Sequence, residues 1–171
     1  EKIRSEISDY KLLNSEIAFI DPVYLNLDLS LKMSGESYKT IYKDYTELQI
    51  VRRARSLVNE EDLKTKVFNI ITNYINTIKL GGLIDVRYLN NEIEKIPGIE
   101  SIHTVRTDVQ RAIPGLSFCI YNPIYNGRDI KPIETRLRLR PYQIPYIENT
   151  LLFKDKIKVI SSKTNKRVVE Y

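Results

Sequence analysis

Residues 59–82 read NEEDLKTKVFNIITNYINTIKLGG, and this stretch carries the clearest secondary-structure signal of the chain. Asn59 can cap a helix, and the three acidic residues after it suit the positive end of the helix dipole. Gly81 can leave the helix in the left-handed conformation. The sequence therefore predicts an amphipathic helix over 59–80. Its apolar stripe consists of Leu63, Val67, Ile70, Ile71, Tyr74, Ile75 and Ile78.

A second, shorter helix is predicted over 86–96, starting at Asp85 and ending at Pro97-Gly98. Strands are expected on both sides of the two helices. Four leucines, at positions 25, 27, 29 and 31, alternate with polar residues. This period of two predicts a strand with one face on a core and the other toward water or a partner. Further strands are predicted over 99–107 and 116–121, with a turn at 108–115 between them.

The predicted fold class is α+β: a small, mostly antiparallel sheet with one long and one short helix on a face. Residues 1–15 are predicted to form a linker or a short helix, 16–124 the α+β core domain, and 125–171 a β-rich C-terminal appendage. Residues 38–58 are predicted to be peripheral and partly extended. Within the appendage, strands are expected at Leu151-Leu152-Phe153, at 157–160 and at 167–169.

Composition constrains the function. The chain has 171 residues, a net charge of +5, one cysteine and one histidine. It has no apolar run long enough to span a membrane, cannot form an internal disulfide, and lacks the ligands of a typical zinc site. Because the chain begins with Glu1, we expect it to be a piece of a longer protein. Six basic residues in 151–171 form either a solvated face or a surface for an acidic partner or nucleic acid; they are Lys154, Lys156, Lys158, Lys163, Lys166 and Arg167.

No residue pattern indicates catalysis. His103 lies in a predicted strand without a suitably spaced nucleophile, and Cys119 lies between apolar neighbours, which favours a buried structural role. Gly81-Gly82 lacks the following Lys-Ser/Thr of a phosphate-binding loop. The sequence therefore predicts no enzyme activity, no cofactor and no metal site.

The strongest polar signal is the alternation of Arg136, Arg138 and Arg140 with leucines. On a strand these arginines point to one side, about 6–7 Å apart. They suit a carboxylate-bearing partner, a phosphate backbone, or a solvated edge strand that resists unwanted pairing. Tyr142 and Tyr146 follow them and are candidate interface anchors, although packing within the chain is an equal alternative. These five residues form the predicted interface.

Several of these segments also resemble the C-terminal part of the baseplate J-like family, closest in character to the wedge proteins of T4-type contractile-tailed phages. The resemblance covers residues 16–121. It is carried by Phe19-Ile20-Asp21-Pro22-Val23-Tyr24, the leucine-alternating strand, helix 59–80 ending in Lys79-Leu80-Gly81-Gly82, residues 89–96, and Pro97-Gly98-Ile99.

The resemblance implies a structural virion protein of the tail baseplate, assembled in the host cytoplasm. It implies association with copies of the chain itself, as a homodimer or ring, and with other wedge proteins around the hub, without a cofactor or catalytic residues. Residues from 125 onward lie outside it. The alternative is a nucleic-acid-binding α+β module that uses the basic C-terminal tail.

Overall fold

The computed structural model describes residues 19–31, 44–121, 131–133 and 135–162. The linker or short helix predicted over 1–15, the first part (38–43) of the segment predicted to be peripheral, and the strand predicted over 167–169 lie outside these ranges. The described part of the chain is an α+β fold, as predicted.

The elements follow one another in this order: β1 (Val23–Leu29), β2 (Thr46–Arg52), α1 (Glu60–Thr77), β3 (Leu83–Asp85), α2 (Val86–Glu94), β4 (Ile99–Arg106), β5 (Arg111–Pro114), β6 (Phe118–Tyr121), β7 (Lys131–Ile133), β8 (Arg136–Arg138), β9 (Gln143–Tyr146), α3 (Thr150–Asp155) and β10 (Ile157–Ser161).

The described strands form three sheets. The first sheet has the order β7-β6-β1-β9, the second has the order β10-β2-β4-β5, and β3 and β8 form a two-stranded ribbon. Five of the seven pairings between these strands are antiparallel, while β1–β9 and β2–β10 are parallel. Strands from residues 131–161 join all three sheets, so this part of the chain is built into the same sheets as β1, β2 and β3.

Both helix starts are confirmed. The Asn59 side chain accepts a hydrogen bond from the Glu61 N–H at the start of α1, and the Asp85 side chain accepts one from the Tyr88 N–H at the start of α2. The predicted stripe of α1 faces the core, with Leu63, Val67 and Ile71 fully buried. Helix α1 ends at Thr77, before Gly81, whose φ of 67° is nonetheless left-handed.

The leucine alternation is also confirmed, because all four leucines are buried; three of them lie in β1, and Leu31 follows its end. The opposite face is less open than predicted. Asn26 and Ser30 are buried as well, and Asp28 is half-buried. The polar face of β1 is therefore covered mainly by contacts within the chain, which include Glu148 and Lys156.

Three local predictions are wrong. Residues 46–52 are not peripheral: they form β2, which lies between β10 and β4 and buries Leu48 and Ile50. The predicted turn at 108–115 contains the short strand β5. Residues 151–153 belong to helix α3, because the side chain of Asn149 caps it by accepting a hydrogen bond from the Leu152 N–H.

One hydrophobic core unites these elements. It includes Leu27 of β1, Ile50 of β2, Ile71 of α1, Leu89 of α2 and Phe118 of β6. Phe118 stacks on Phe153 of α3 with 6.5 Å between the ring centroids. The core thereby fixes the inner side of each sheet, so that the remaining side chains form the candidate surfaces described below.

Candidate protein interface

The β3–β8 ribbon orients the arginines by the alternation of its residues. Leu83 lies opposite Arg138, Ile84 opposite Leu137, and Asp85 opposite Arg136. Ile84 is fully buried and Leu137 packs against the core, so the inner face of the ribbon is apolar. The outer face is formed by Leu83, Asp85, Arg136 and Arg138, which we call the arginine face.

One row of the arginine face is an ion pair. Arg136 Nε lies 2.9 Å from Asp85 Oδ2 across the two strands. The pKa of Asp85 is lowered, chiefly because its carboxylate accepts a hydrogen bond from the Tyr88 N–H and further because Arg136 is positively charged. The carboxylate therefore both caps α2 and neutralises one arginine.

The next row of the arginine face pairs a cation with an apolar side chain. Arg138 is exposed, and Leu83 opposite it is 36% exposed. Within the described part of the chain, Arg138 has no ion pair. This row therefore presents a guanidinium group and a leucine side by side to the solvent.

Arg140 and Tyr142 lie in the turn that follows β8. The exposed Arg140 guanidinium donates a hydrogen bond from Nη1 to the Tyr142 hydroxyl at 3.1 Å, and the Arg140 backbone N–H donates to Gln143 Oε1 at 3.0 Å. Gly81 packs against this turn, and its N–H donates to the Gln143 carbonyl. The turn is therefore tied to the end of α1 and to β9.

Tyr146 lies on β9 and contacts Tyr24 of β1. Their ring centroids are 5.9 Å apart and the rings are nearly perpendicular, at 89°. Tyr24 remains 56% exposed. Burial of its hydroxyl raises the pKa of Tyr146. We call Tyr24 and Tyr146 the tyrosine patch.

The structure does not bring the five predicted interface residues onto one surface: Arg136 and Arg138 lie on the arginine face and Tyr146 in the tyrosine patch. Arg140 and Tyr142 lie in the turn between β8 and β9. Sequence reasoning missed three residues that belong to the arginine face or the tyrosine patch: Leu83, Asp85 and Tyr24. Asp85 was predicted only as a helix start, because its pairing with Arg136 depends on a strand contact across 51 residues. Tyr24 immediately precedes the alternating leucines of the predicted strand. That position was the one sequence feature that could have pointed to Tyr24 as a surface residue of the sheet.

His103 and Cys119, the two residues weighed for a catalytic role, both lie within strands. Cys119 is buried in β6, as predicted. His103 lies in β4, where Nε2 is 3.1 Å from Ser101 Oγ, and burial lowers the pKa of His103. No group of three or more potential metal ligands occurs within residues 19–31, 44–121, 131–133 and 135–162. No helix of that same part of the chain is both long and apolar enough to cross a membrane.

The basic C-terminal residues are partly engaged within the chain. Lys156 is paired with Asp28, and Lys154 lies over the Phe68 ring, 5.8 Å from its centroid. Residues 163, 166 and 167 lie outside the described ranges. Two of the six basic side chains therefore already have partners inside the protein.

No protein-family model matches the chain, and no curated protein matches it significantly.

Proposed function

We propose that this chain is a structural subunit of a contractile phage tail baseplate, a wedge component that associates with copies of itself and with other wedge proteins around the hub. The observation that carries the proposal is the tyrosine patch on β1 and β9, in which Tyr24 is more than half exposed, together with the exposed arginines of β8. Tyrosine and arginine are enriched in protein–protein interfaces, where they often contribute most of the binding energy.

The positions of the resembling segments within the fold support the proposal. Asp21-Pro22 immediately precedes β1, Lys79-Leu80-Gly81-Gly82 connects α1 to β3, and Pro97-Gly98 connects α2 to β4. Each segment therefore lies at a junction between secondary-structure elements. Proline and glycine suit such positions, because proline fixes φ and glycine adopts conformations that other residues avoid.

Tyr24 suits a role as an interface anchor for a physical reason. Its backbone lies in β1 and is paired with Ile144 of β9, while its ring is more than half exposed. An aromatic side chain on a rigid base loses little conformational entropy when a partner covers it.

Self-association is tested by light scattering coupled to size-exclusion chromatography. We expect the mass of the wild-type chain to rise with concentration, and Tyr24→Ser to shift this rise to higher concentration. Leu57→Ser is the control, because Leu57 is a fully exposed apolar residue that lies in the connection between β2 and α1, on neither strand of the patch. A wild-type chain that stays monomeric at high micromolar concentration contradicts self-association.

Immunogold labelling tests the location in the virion. An antibody against the chain should label the tail end of particles of the source phage.

The nucleic-acid alternative is tested with random oligonucleotides over a range of salt concentrations. Tight binding with a steep salt dependence would favour that alternative.

A further inference from the structure

We propose that the arginine face binds an extended acidic segment of a neighbouring protein, with Arg138 pairing to a carboxylate and Leu83 contacting an apolar side chain of that segment. The inference rests on the proposed function, since it names the chemistry of one partner of an assembly subunit.

The first argument is charge. The outer face of the ribbon carries two guanidinium groups and one carboxylate, Asp85. That carboxylate is held by Arg136 and by the Tyr88 N–H. Asp85 is therefore already engaged, while Arg138 extends into solvent opposite a leucine. An external carboxylate can pair with Arg138 through two parallel hydrogen bonds.

The second argument is rigidity. Leu137 packs on the core and Leu139 is buried, so the backbone on both sides of Arg138 is fixed. The Leu139 N–H donates to the Gly82 carbonyl, which extends the ribbon by one hydrogen bond. A partner therefore does not have to order the strand that carries the arginine, which lowers the entropic penalty of binding.

The third argument concerns the class of partner. A phosphate backbone would gain nothing from the exposed Leu83 and Leu80, which lie on or next to the ribbon. A peptide with alternating acidic and apolar residues matches a face on which cation and leucine are neighbours. Within the described residues β8 pairs with β3 alone, so an extended segment can also add to its edge.

The test uses fluorescence anisotropy with a labelled peptide of alternating glutamate and leucine. Wild-type chain should bind it, and Arg138→Gln should weaken binding about tenfold, the loss expected for one charge-assisted pair. Arg138→Glu should weaken it further. The matched control is Lys66→Glu, which reverses an exposed charge on α1 and should change the affinity by less than about twofold.

Three results would overturn the inference: no binding by the wild type, an equal loss in Lys66→Glu, or tighter binding of a single-stranded oligonucleotide that is equally sensitive to Arg138→Gln. Circular dichroism of each variant reports whether it is folded.

Light scattering on the same samples separates this inference from the proposed function. If Arg138→Gln loses the peptide while association through the tyrosine patch persists, assembly and acidic-segment binding are two distinct surfaces, as expected. Association without any peptide binding by the wild type would overturn only the inference made here.

Discussion

Lys156 and Asp28 form an ion pair with two hydrogen bonds, in which the lysine Nζ lies 3.1 and 3.0 Å from the two carboxylate oxygens. Both side chains are largely buried, at 12% and 15% exposed. Asp28 belongs to β1 in the first sheet, while the Lys156 carbonyl accepts a hydrogen bond from the Leu48 N–H of β2 in the second. Lys156 therefore links the two sheets, since its side chain contacts the first and its backbone carbonyl contacts the second.

Removal of the lysine from this pair should destabilise the fold. Lys156→Met leaves the largely buried Asp28 carboxylate without its cation, and we expect a loss of about 2–4 kcal/mol in the free energy of unfolding. Chemical denaturation measures it. The matched control is Lys95→Met, which breaks an exposed pair with Glu92 and should have little effect. A double variant that also replaces Asp28 by leucine should recover part of the loss; equal destabilisation in the single and double variants would show that the cost is not an unpaired charge.

Local signals were sufficient to predict α1, α2 and the orientation of Arg136 and Arg138. Arg140, which was predicted on the same strand face, lies instead in the turn after β8. Asn59 and Asp85 cap helices through their own side chains, and the alternation of arginine and leucine at 136–139 follows from the period of a strand. Each of these features depends on residues within a few positions of one another, which is the range over which a sequence pattern is informative.

Pairing between distant segments could not be predicted in this way. The position of β2 in the middle of a sheet depends on β4, some fifty residues later, and on β10, more than a hundred residues later. Leu151-Leu152-Phe153 is a short apolar run that suits a strand or a helix equally, and the Asn149 cap decides for the helix. The Asp85–Arg136 ion pair could not be predicted either, because it depends on the pairing of β3 with β8, and β3 was not predicted.

The hydroxyl of Tyr74, on α1, supports the junction between β3 and α2. It accepts a hydrogen bond of 2.7 Å from the Asp85 N–H, at the point where β3 meets α2. Tyr74→Phe leaves this N–H without its partner and should lower the free energy of unfolding by about 1–2 kcal/mol. Tyr88→Phe is the control: its ring lies 5.6 Å from that of Tyr74, but its hydroxyl has no hydrogen bond within the described residues. If both variants unfold alike, the Tyr74 hydroxyl has no such role.

Gly81 is required by its conformation and by a close contact. Its φ is 67°, and a Cβ at this position would lie 3.0 Å from the Cα of Pro141. Gly81→Ala should therefore destabilise the chain by at least about 1–2 kcal/mol, and shift the turn that carries Arg140. The midpoint of urea unfolding measures the first effect, with Lys79→Ala as an exposed neighbouring control. An unchanged midpoint for Gly81→Ala would contradict this account.

His103 gives the fold a dependence on pH. Its Nδ1 is buried without a hydrogen-bond partner in the described residues, and it lies opposite Gln49 on the outer face of the second sheet. Burial disfavours the imidazolium, so the pKa of His103 is lowered below its ordinary value of 6.5. Above that value both the folded and the unfolded states are neutral, and the full stability is present. As the pH falls below it, the unfolded chain binds a proton that the folded chain does not, so stability is lost until the lower, folded-state pKa is reached.

This dependence can be measured directly because the chain contains one histidine. The NMR titration of its ring proton should have a midpoint below 6.5, and urea unfolding should give a free energy that declines as the pH falls from about 7 toward 5. His103→Gln removes the titrating group, and we expect the steepest part of that decline to disappear even if the variant is less stable overall. Carboxylates titrate at lower pH and contribute a separate, later loss in both proteins. A titration midpoint at or above 6.5 would mean that the imidazolium is tolerated in the folded state, and the decline near neutral pH would then have to come from another group.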